Sequence, residues 1–341
     1  MNLEMAADVR SRPLILVGLL LLLAVAIAGC GGGRSQAPAS SGDDFTLATP
    51  IFPNRTIDII VGAEAGTPED DFAAAIAAAY ASALPGQINF VYEPGNHGLT
   101  ALEQFSEKAN DGHTMLILTD RHISALAAGQ TAVDVTREHQ PNLLGVFEPL
   151  LIFAAGSDSS LSDWDAVVAA AGSGTLKVAS GGPDASAEDL SISRLAADLN
   201  IDLEAVVIDS VSERLAAPGA GTADLVIAPV SIANDAITAG DLAPVLVLWP
   251  ERVPDLPSVP TALESGSTFE GLPIMLGVVL NRRTPRFIAD EIGFALRAAF
   301  ASQSYKAWAE SRGIGSLEVP VGDPAFNIRK QIEKFKAAAG E

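Results

Sequence analysis

The residues best suited by type and spacing to hold a small molecule lie between Ile57 and Phe72, in the sequence IDIIVGAEAGTPEDDF. Ile57, Ile59, Ile60 and Val61 form a short β-branched run, Gly62 to Gly66 break it, and Thr67-Pro68-Glu69-Asp70 follows. A threonine N-cap, a proline at the first helical position and an acid three residues after the cap predict a helix from about Glu69 to Leu84. A strand, a loop and a helix N-terminus in succession aim backbone N–H groups and a positive dipole end above the strand. A second stretch repeats the pattern: Leu176 to Ala179 reads as a strand, and Ser180 to Ala185 as a Gly- and Pro-containing loop. Ser186-Ala187-Glu188-Asp189 then opens a helix with the same capping spacing. The chemistry on offer is hydrogen bonding to a ligand by loop amides and hydroxyls. The same residues also read as ordinary strand-to-helix turns.

Other polar candidates stand nearby in sequence. Thr119-Asp120-Arg121-His122 follows the apolar strand Thr114 to Leu118, at the strand end where ligands of open α/β sheets collect. Arg121 could grip a carboxylate in a bidentate fork or pair with Asp120. His122 could tune binding with pH or serve as a polar loop residue. Glu69, Asp70, Glu188 and Asp189 all suit helix N-termini. Arg282, Arg283 and Arg286 form a basic cluster that reads as a solvated helix start, with docking to a membrane partner as the other reading. The sequence shows no Gly-x-Ser-x-Gly elbow, His-Glu-x-x-His or Walker A loop. Its histidines, His97, His113, His122 and His139, lack metal-ligand spacing. A binding protein without cofactor or metal is expected, not an enzyme.

The elements that must position these residues alternate along the chain. The helix after Thr67 carries Phe72, Ile76, Tyr80 and Ala83 on one stripe and stops at Pro85-Gly86. Ile88 to Tyr92 is the next strand, Leu99 to Lys108 a helix and Thr114 to Leu118 a third strand, which implies a parallel sheet with right-handed crossovers. Val146 to Ala154 reads as one further strand, followed by strands at Ala205 to Ile208, Asp224 to Ala228, Asp241 to Trp249 and Ile274 to Leu280. The proline-dense run Pro250 to Pro260 fits an extended crossing segment, and Thr284-Pro285 opens a helix to about Ala301.

The chain has 341 residues, 48% of them hydrophobic, enough for two domains with real cores. Its 42 acidic and 21 basic side chains give a net charge of -21, which argues against nucleic acid as a partner. Arg10 and Arg12 precede an apolar run from Leu14 to Ala28, the length of a signal-peptide core. Ile27-Ala28-Gly29-Cys30 resembles the lipobox of bacterial lipoproteins, in which cleavage precedes an acylated cysteine. Cys30 is the one cysteine in the chain. Residues 1–29 are thus read as a leader, and residues 30–49, rich in Gly, Ser, Ala and Pro, as a flexible tether to the bilayer.

From residue 50 onward the sequence resembles the extracytoplasmic solute receptors of tripartite tricarboxylate transporters, the Bug receptors. Pro53-Asn54-Arg55-Thr56-Ile57 is similar to the family's opening, Asn110-Asp111-Gly112-His113-Thr114-Met115-Leu116 to its PDGYTLL, and Gly221-Thr222-Ala223-Asp224-Leu225 to its GQVDL. Ile237 to Leu242 and Arg252 to Thr261 resemble its IKAGKLRALAV…R…LPDVPT block. The resemblance implies a two-lobed α/β periplasmic-binding-protein fold, with lobe 1 at residues 50–148 and 250–341 and lobe 2 at 149–249. It implies a monomer that hands a small ligand to membrane permease subunits. A receptor that signals to a sensor partner is the alternative. Carried over, the ligand contacts are Ala65, Gly66, Thr67 and Asp70 in one loop and Gly181, Gly182, Ser186 and Asp189 in the other. The family's PGGGTD loop stands here as Ala65-Gly66-Thr67-Pro68-Glu69-Asp70, and Asp189 stands where histidine is common. The added acids leave a zwitterionic or cationic ligand open beside a carboxylate.

Overall fold

A computed structural model of the chain describes residues 52–340 except 82–85, 157–158, 318 and 320–321. The leader, Cys30 and the tether lie outside the described residues. Two five-stranded mixed sheets organise the fold. The first has strand order β2-β1-β3-β10-β4, from β1 (Ile57–Val61), β2 (Ile88–Tyr92), β3 (Thr114–Thr119), β4 (His139–Glu148) and β10 (Ile274–Asn281). The second has order β7-β6-β8-β5-β9, from β5 (Leu150–Ala155), β6 (Leu176–Ser180), β7 (Leu203–Val207), β8 (Leu225–Pro229) and β9 (Leu242–Leu248). In each, three neighbouring strands pair in parallel, and a single reversed strand, β10 in the first sheet and β5 in the second, pairs antiparallel with them on one side and with the edge strand, β4 or β9, on the other.

The expected strand over residues 146–154 is in fact two. Pro149 separates β4 from β5, and the two strands belong to different sheets. A proline has no N–H to give a ladder, so it suits a break at which the chain leaves one sheet for the other.

The helices cover the sheet faces. In α1 (Pro68–Tyr80) the predicted stripe is buried at Phe72, Ile76 and Tyr80, and it packs with α8 (Arg286–Ala301) and α9 (Gln303–Ser311) over the first sheet. The second sheet has its own apolar cluster, in which Phe153, Ala179, Val226 and Val247 meet residues of α6 (Val211–Ala220) and α7 (Val230–Ala239). A third cluster contains residues of both sheets, among them Ile60, Leu118, Ile152 and Leu248, with α2 (Leu99–Ser106), α3 (Asp120–Ala127), α5 (Ala187–Leu199) and α10 (Pro324–Ala339). One continuous core therefore reaches across the two sheets, on the side from which α3 and α5 approach each other.

Candidate functional site

The first loop leaves β1 at Val61 and ends at the N-cap of α1. Gly66 has φ 86, the left-handed region that a side chain would strain, and it reverses the chain ahead of the helix. Thr67 caps α1 by accepting from the Asp70 N–H at 3.4 Å, while its own hydroxyl donates to the Glu64 carbonyl at 2.8 Å. Asp70 reaches back to accept from the Gly66 N–H at 2.8 Å and takes the Tyr92 hydroxyl proton on its other oxygen at 2.7 Å. Both carboxylate oxygens of Asp70 are thus committed. Ala65 and Gly66 are exposed, and Thr67 and Asp70 half-buried.

The second loop repeats this construction. Ser186 caps α5 by accepting from the Asp189 N–H at 3.1 Å, and Asp189 accepts from the Ala185 N–H at 2.8 Å. Between them Glu188, buried at 7% exposure, turns its Oε2 onto the N–H groups of Gly181 at 2.5 Å and Gly182 at 2.7 Å. Burial raises the Glu188 carboxyl above its ordinary range, opposed by the Arg214 guanidinium and by those two amides. Arg214, 5% exposed, lies so close to Gly181 that any Cβ there would collide with its guanidinium, and its Nη1 donates to the Ile208 carbonyl at 3.2 Å.

Between the two loops stands the start of α3. Asp120, its first residue, is raised to about 7 by burial first and then by the neighbouring charges of Glu188 and Glu69, against a hydrogen bond from the Met275 N–H. The carboxyls of the two loops therefore share a neighbourhood with Asp120. A direct link joins the same elements, the Gln130 side-chain amide donating to the Asp184 carbonyl at 3.4 Å. Arg121 is half-buried, bonded through Nη2 to Gln130 Oε1 at 2.6 Å and through Nη1 to Ser124 Oγ at 3.4 Å, and its Nε has no partner. Burial lowers its pKa, and Asp120 opposes the shift.

His122 has a different place from the loop position expected of it. It is fully buried within α3, its Nδ1 accepting from the Thr119 N–H at 3.1 Å, so the ring proton sits on Nε2 and donates to the Gly98 carbonyl at 3.2 Å. Burial pushes its pKa down to about 4, assisted by Arg121 and His139, and keeps it neutral. Nε2 ties α3 to the Gly98 turn and Nδ1 is spent on the helix cap at Thr119, which leaves neither ring nitrogen for a ligand. Gly98, at φ 86, in turn abuts Gly62 of the first loop, where a Cβ would stand 2.8 Å from the Gly62 carbonyl oxygen.

Asp120 is thus a charge neighbour of Glu69 at the start of α1 and of Glu188 at the start of α5, Gln130 bonds to the second loop at Asp184, and His122 is buried within α3. Sequence reasoning missed Asp120 as a half-buried acid with a raised pKa and Arg214 as a buried base; neither is marked by a local motif. Among the described residues no group of three or more His, Cys, Asp or Glu could hold a metal ion.

No family model matches the chain. A curated relative, the UPF0065 protein in the tcbD–tcbE intergenic region of a Pseudomonas species, is 27% identical over 256 residues, 74% of this chain and 75% of that protein. Among solved structures, MatC of Rhodopseudomonas palustris with bound malate superposes with TM-score 0.72 at 24% identity, covering 84% of this chain and 99% of that one. A TctC solute-binding protein from Polaromonas gives TM-score 0.69 at 18% identity, and the periplasmic binding protein BugD 0.72 at 21%, each over 85% of this chain and 99% of the other. At 24% identity or less, the likeness to these structures over nearly their whole length shows that the chain has their two-lobed α/β fold, and the curated relative matches it in sequence over about three quarters of both chains.

Proposed function

We propose that this solute-binding protein is the extracytoplasmic receptor of a tripartite tricarboxylate-type transporter, held to a membrane through acylated Cys30. Residues 50–148 with 250–341 form one lobe and residues 149–249 the other. The lobes close on a small organic solute and present the closed form to a membrane permease. The observation that supports this reading is a repeated unit, a strand end, a loop and a capped helix start at Thr67 and again at Ser186, with Gln130 just after α3 bonded to the second loop at Asp184. Such loops offer amides and hydroxyls at short range to a small molecule that enters between them. No step of bond making or breaking is assigned to these residues.

The reading is tested by a thermal-shift panel of dicarboxylates, amino acids, amines and neutral solutes. The expected outcome is that one chemical class raises the unfolding temperature in a concentration-dependent way. Indifference of the folded protein to the whole panel would remove the receptor reading.

A further inference from the structure

Three side-chain carboxylates of this chain hold four of the backbone amides of the two loops. Asp70 takes the N–H of Gly66, Asp189 that of Ala185, and Glu188 those of both Gly181 and Gly182. The first two acids sit at the third helical position and reach one residue beyond their caps, which is cap chemistry. Glu188 is different: a single oxygen bridges two consecutive glycine amides, with contacts of 2.5 and 2.7 Å, and the side chain is 93% removed from solvent. Paired amides of that kind form the donor set that receives an anionic oxygen.

The surroundings are built for a carboxylate at that spot. Arg214, almost wholly buried, packs its guanidinium on Gly181 and is a counter-charge to Glu188. Its Nε has no hydrogen-bond partner. Gly182 is hemmed in from the other side by Ser186, whose Oγ would stand 2.1 Å from a Cβ at Gly182. The oxygen bonded to both amides thus belongs to the chain itself.

We propose that Glu188 is a specificity-determining residue: its carboxylate stands where a ligand carboxylate would dock on the Gly181 and Gly182 amides. The solute then presents a neutral or cationic group to the Gly181–Ser186 loop. The inference rests on the solute-receptor reading and narrows it, because it bars a dicarboxylate gripped at both ends. The remaining charges agree with it. Asp120 is a charge neighbour of Glu188 and adds to the negative charge there, and Arg121 spends two of its nitrogens on Gln130 and Ser124.

Glu188→Ala tests the proposal by vacating the amide pair. Adipate and malate are titrated into wild type and variant by calorimetry, and acetate is compared with chloride at equal ionic strength in thermal unfolding. We expect wild type to respond to acetate no more than to chloride. The variant should be destabilised, be rescued by acetate, and bind adipate about tenfold or more tightly than wild type does. Equal responses from the two proteins would overturn the proposal, as would dicarboxylate affinity present in wild type and lost in the variant. If Glu188→Ala fails to fold in chloride, its refolding yield in acetate against chloride gives the same readout. Glu188→Gln keeps the size of the side chain and a carbonyl oxygen for the amides, so it should gain no adipate affinity; a gain equal to that of Glu188→Ala would overturn occupancy as the cause. The wild-type solute panel reports on the receptor reading separately, since a response there to an amine or a neutral solute stands whatever the variants do.

Discussion

Asp70 shows how far one side chain can serve both loop shape and site chemistry. Its two oxygens hold the Gly66 amide and the Tyr92 hydroxyl, so it fixes the turn before α1 and pins the end of β2 to it. Asp70→Ala would leave both donors seeking water and is expected to lower stability by about 1–2 kcal/mol, read as a lower urea midpoint at unchanged slope. A second signal comes from Tyr92. Its phenol is held above the ordinary value chiefly because it donates to Asp70, so ultraviolet titration of the variant should show that phenol ionising at lower pH than in wild type. Thr67 with Asp70, and Ser186 with Asp189, were legible in the sequence because a cap is a contact across three residues. Glu188 stood in the same short motif and was read as a helix-start acid; that its oxygen would settle on Gly181 and Gly182 depends on loop closure, which spacing does not encode. Arg214 and Asp120 were illegible for a related reason. Charged side chains are usually solvated, and the surroundings that bury Arg214 and half-bury Asp120 are assembled from distant segments.

At the scale of elements, the consequential junction is where β4 passes into β5. The apolar run from Val146 to Ala154 signals strand and nothing more, so the sequence reads as one element. The structure breaks it at Pro149, which moves the chain from the first sheet to the second. Glu148, the last residue of β4, is 1% exposed and accepts from the Ser231 hydroxyl at 2.5 Å and the Ser231 N–H at 3.2 Å, at the start of α7 beside the second sheet. A cavity of about 250 Å³ adjoins it, lined also by Tyr305, Lys306 and Ile314. Burial pushes the Glu148 carboxyl up to about 7, even though both Ser231 bonds favour the charged form. The unfolded chain ionises the same group near 4.5, so its contribution is fully present below that pH and is lost as pH rises through 7. Asp120 acts in the same direction. Glu148→Gln can keep both contacts, its carbonyl accepting from the Ser231 N–H and its amide donating to the hydroxyl, and it removes the buried charge. The variant should match wild type in unfolding temperature at acid pH and exceed it by a few degrees on the alkaline side of neutrality, with 1 kcal/mol worth about 2–4 °C in domains of moderate size. An offset that does not change with pH would show that the carboxylate is not the cause.

For the whole molecule, charge decides how the proposed membrane anchor can be recognised. The chain carries a net charge of -21, and the leader contains two acids, Glu4 and Asp8, against two bases, Arg10 and Arg12. Cleavage before Cys30, as proposed, would leave the side-chain balance where it was, so the protein is strongly acidic with or without residues 1–29. A polybasic protein can linger on an anionic bilayer by electrostatics alone at about 1 kcal/mol per Lys or Arg near the surface, and high salt releases it. An acidic body is repelled from the same surface. Among the described residues no helix is long and apolar enough to cross a membrane. With electrostatic adhesion weak, membrane association of this protein would turn on its N-terminal segment, through acylation at Cys30 or through the apolar run Leu14 to Ala28 if that run is retained. Cys30→Ser is expected to move the protein from the membrane fraction to the soluble one, while a high-salt wash leaves wild type in the membrane pellet and detergent extracts it. The folded body should be indifferent to the change, with the same unfolding temperature and the same response to solutes. Wild type that washes off with salt, or a serine variant that stays with the membranes, would rule out the thiol as the point of attachment.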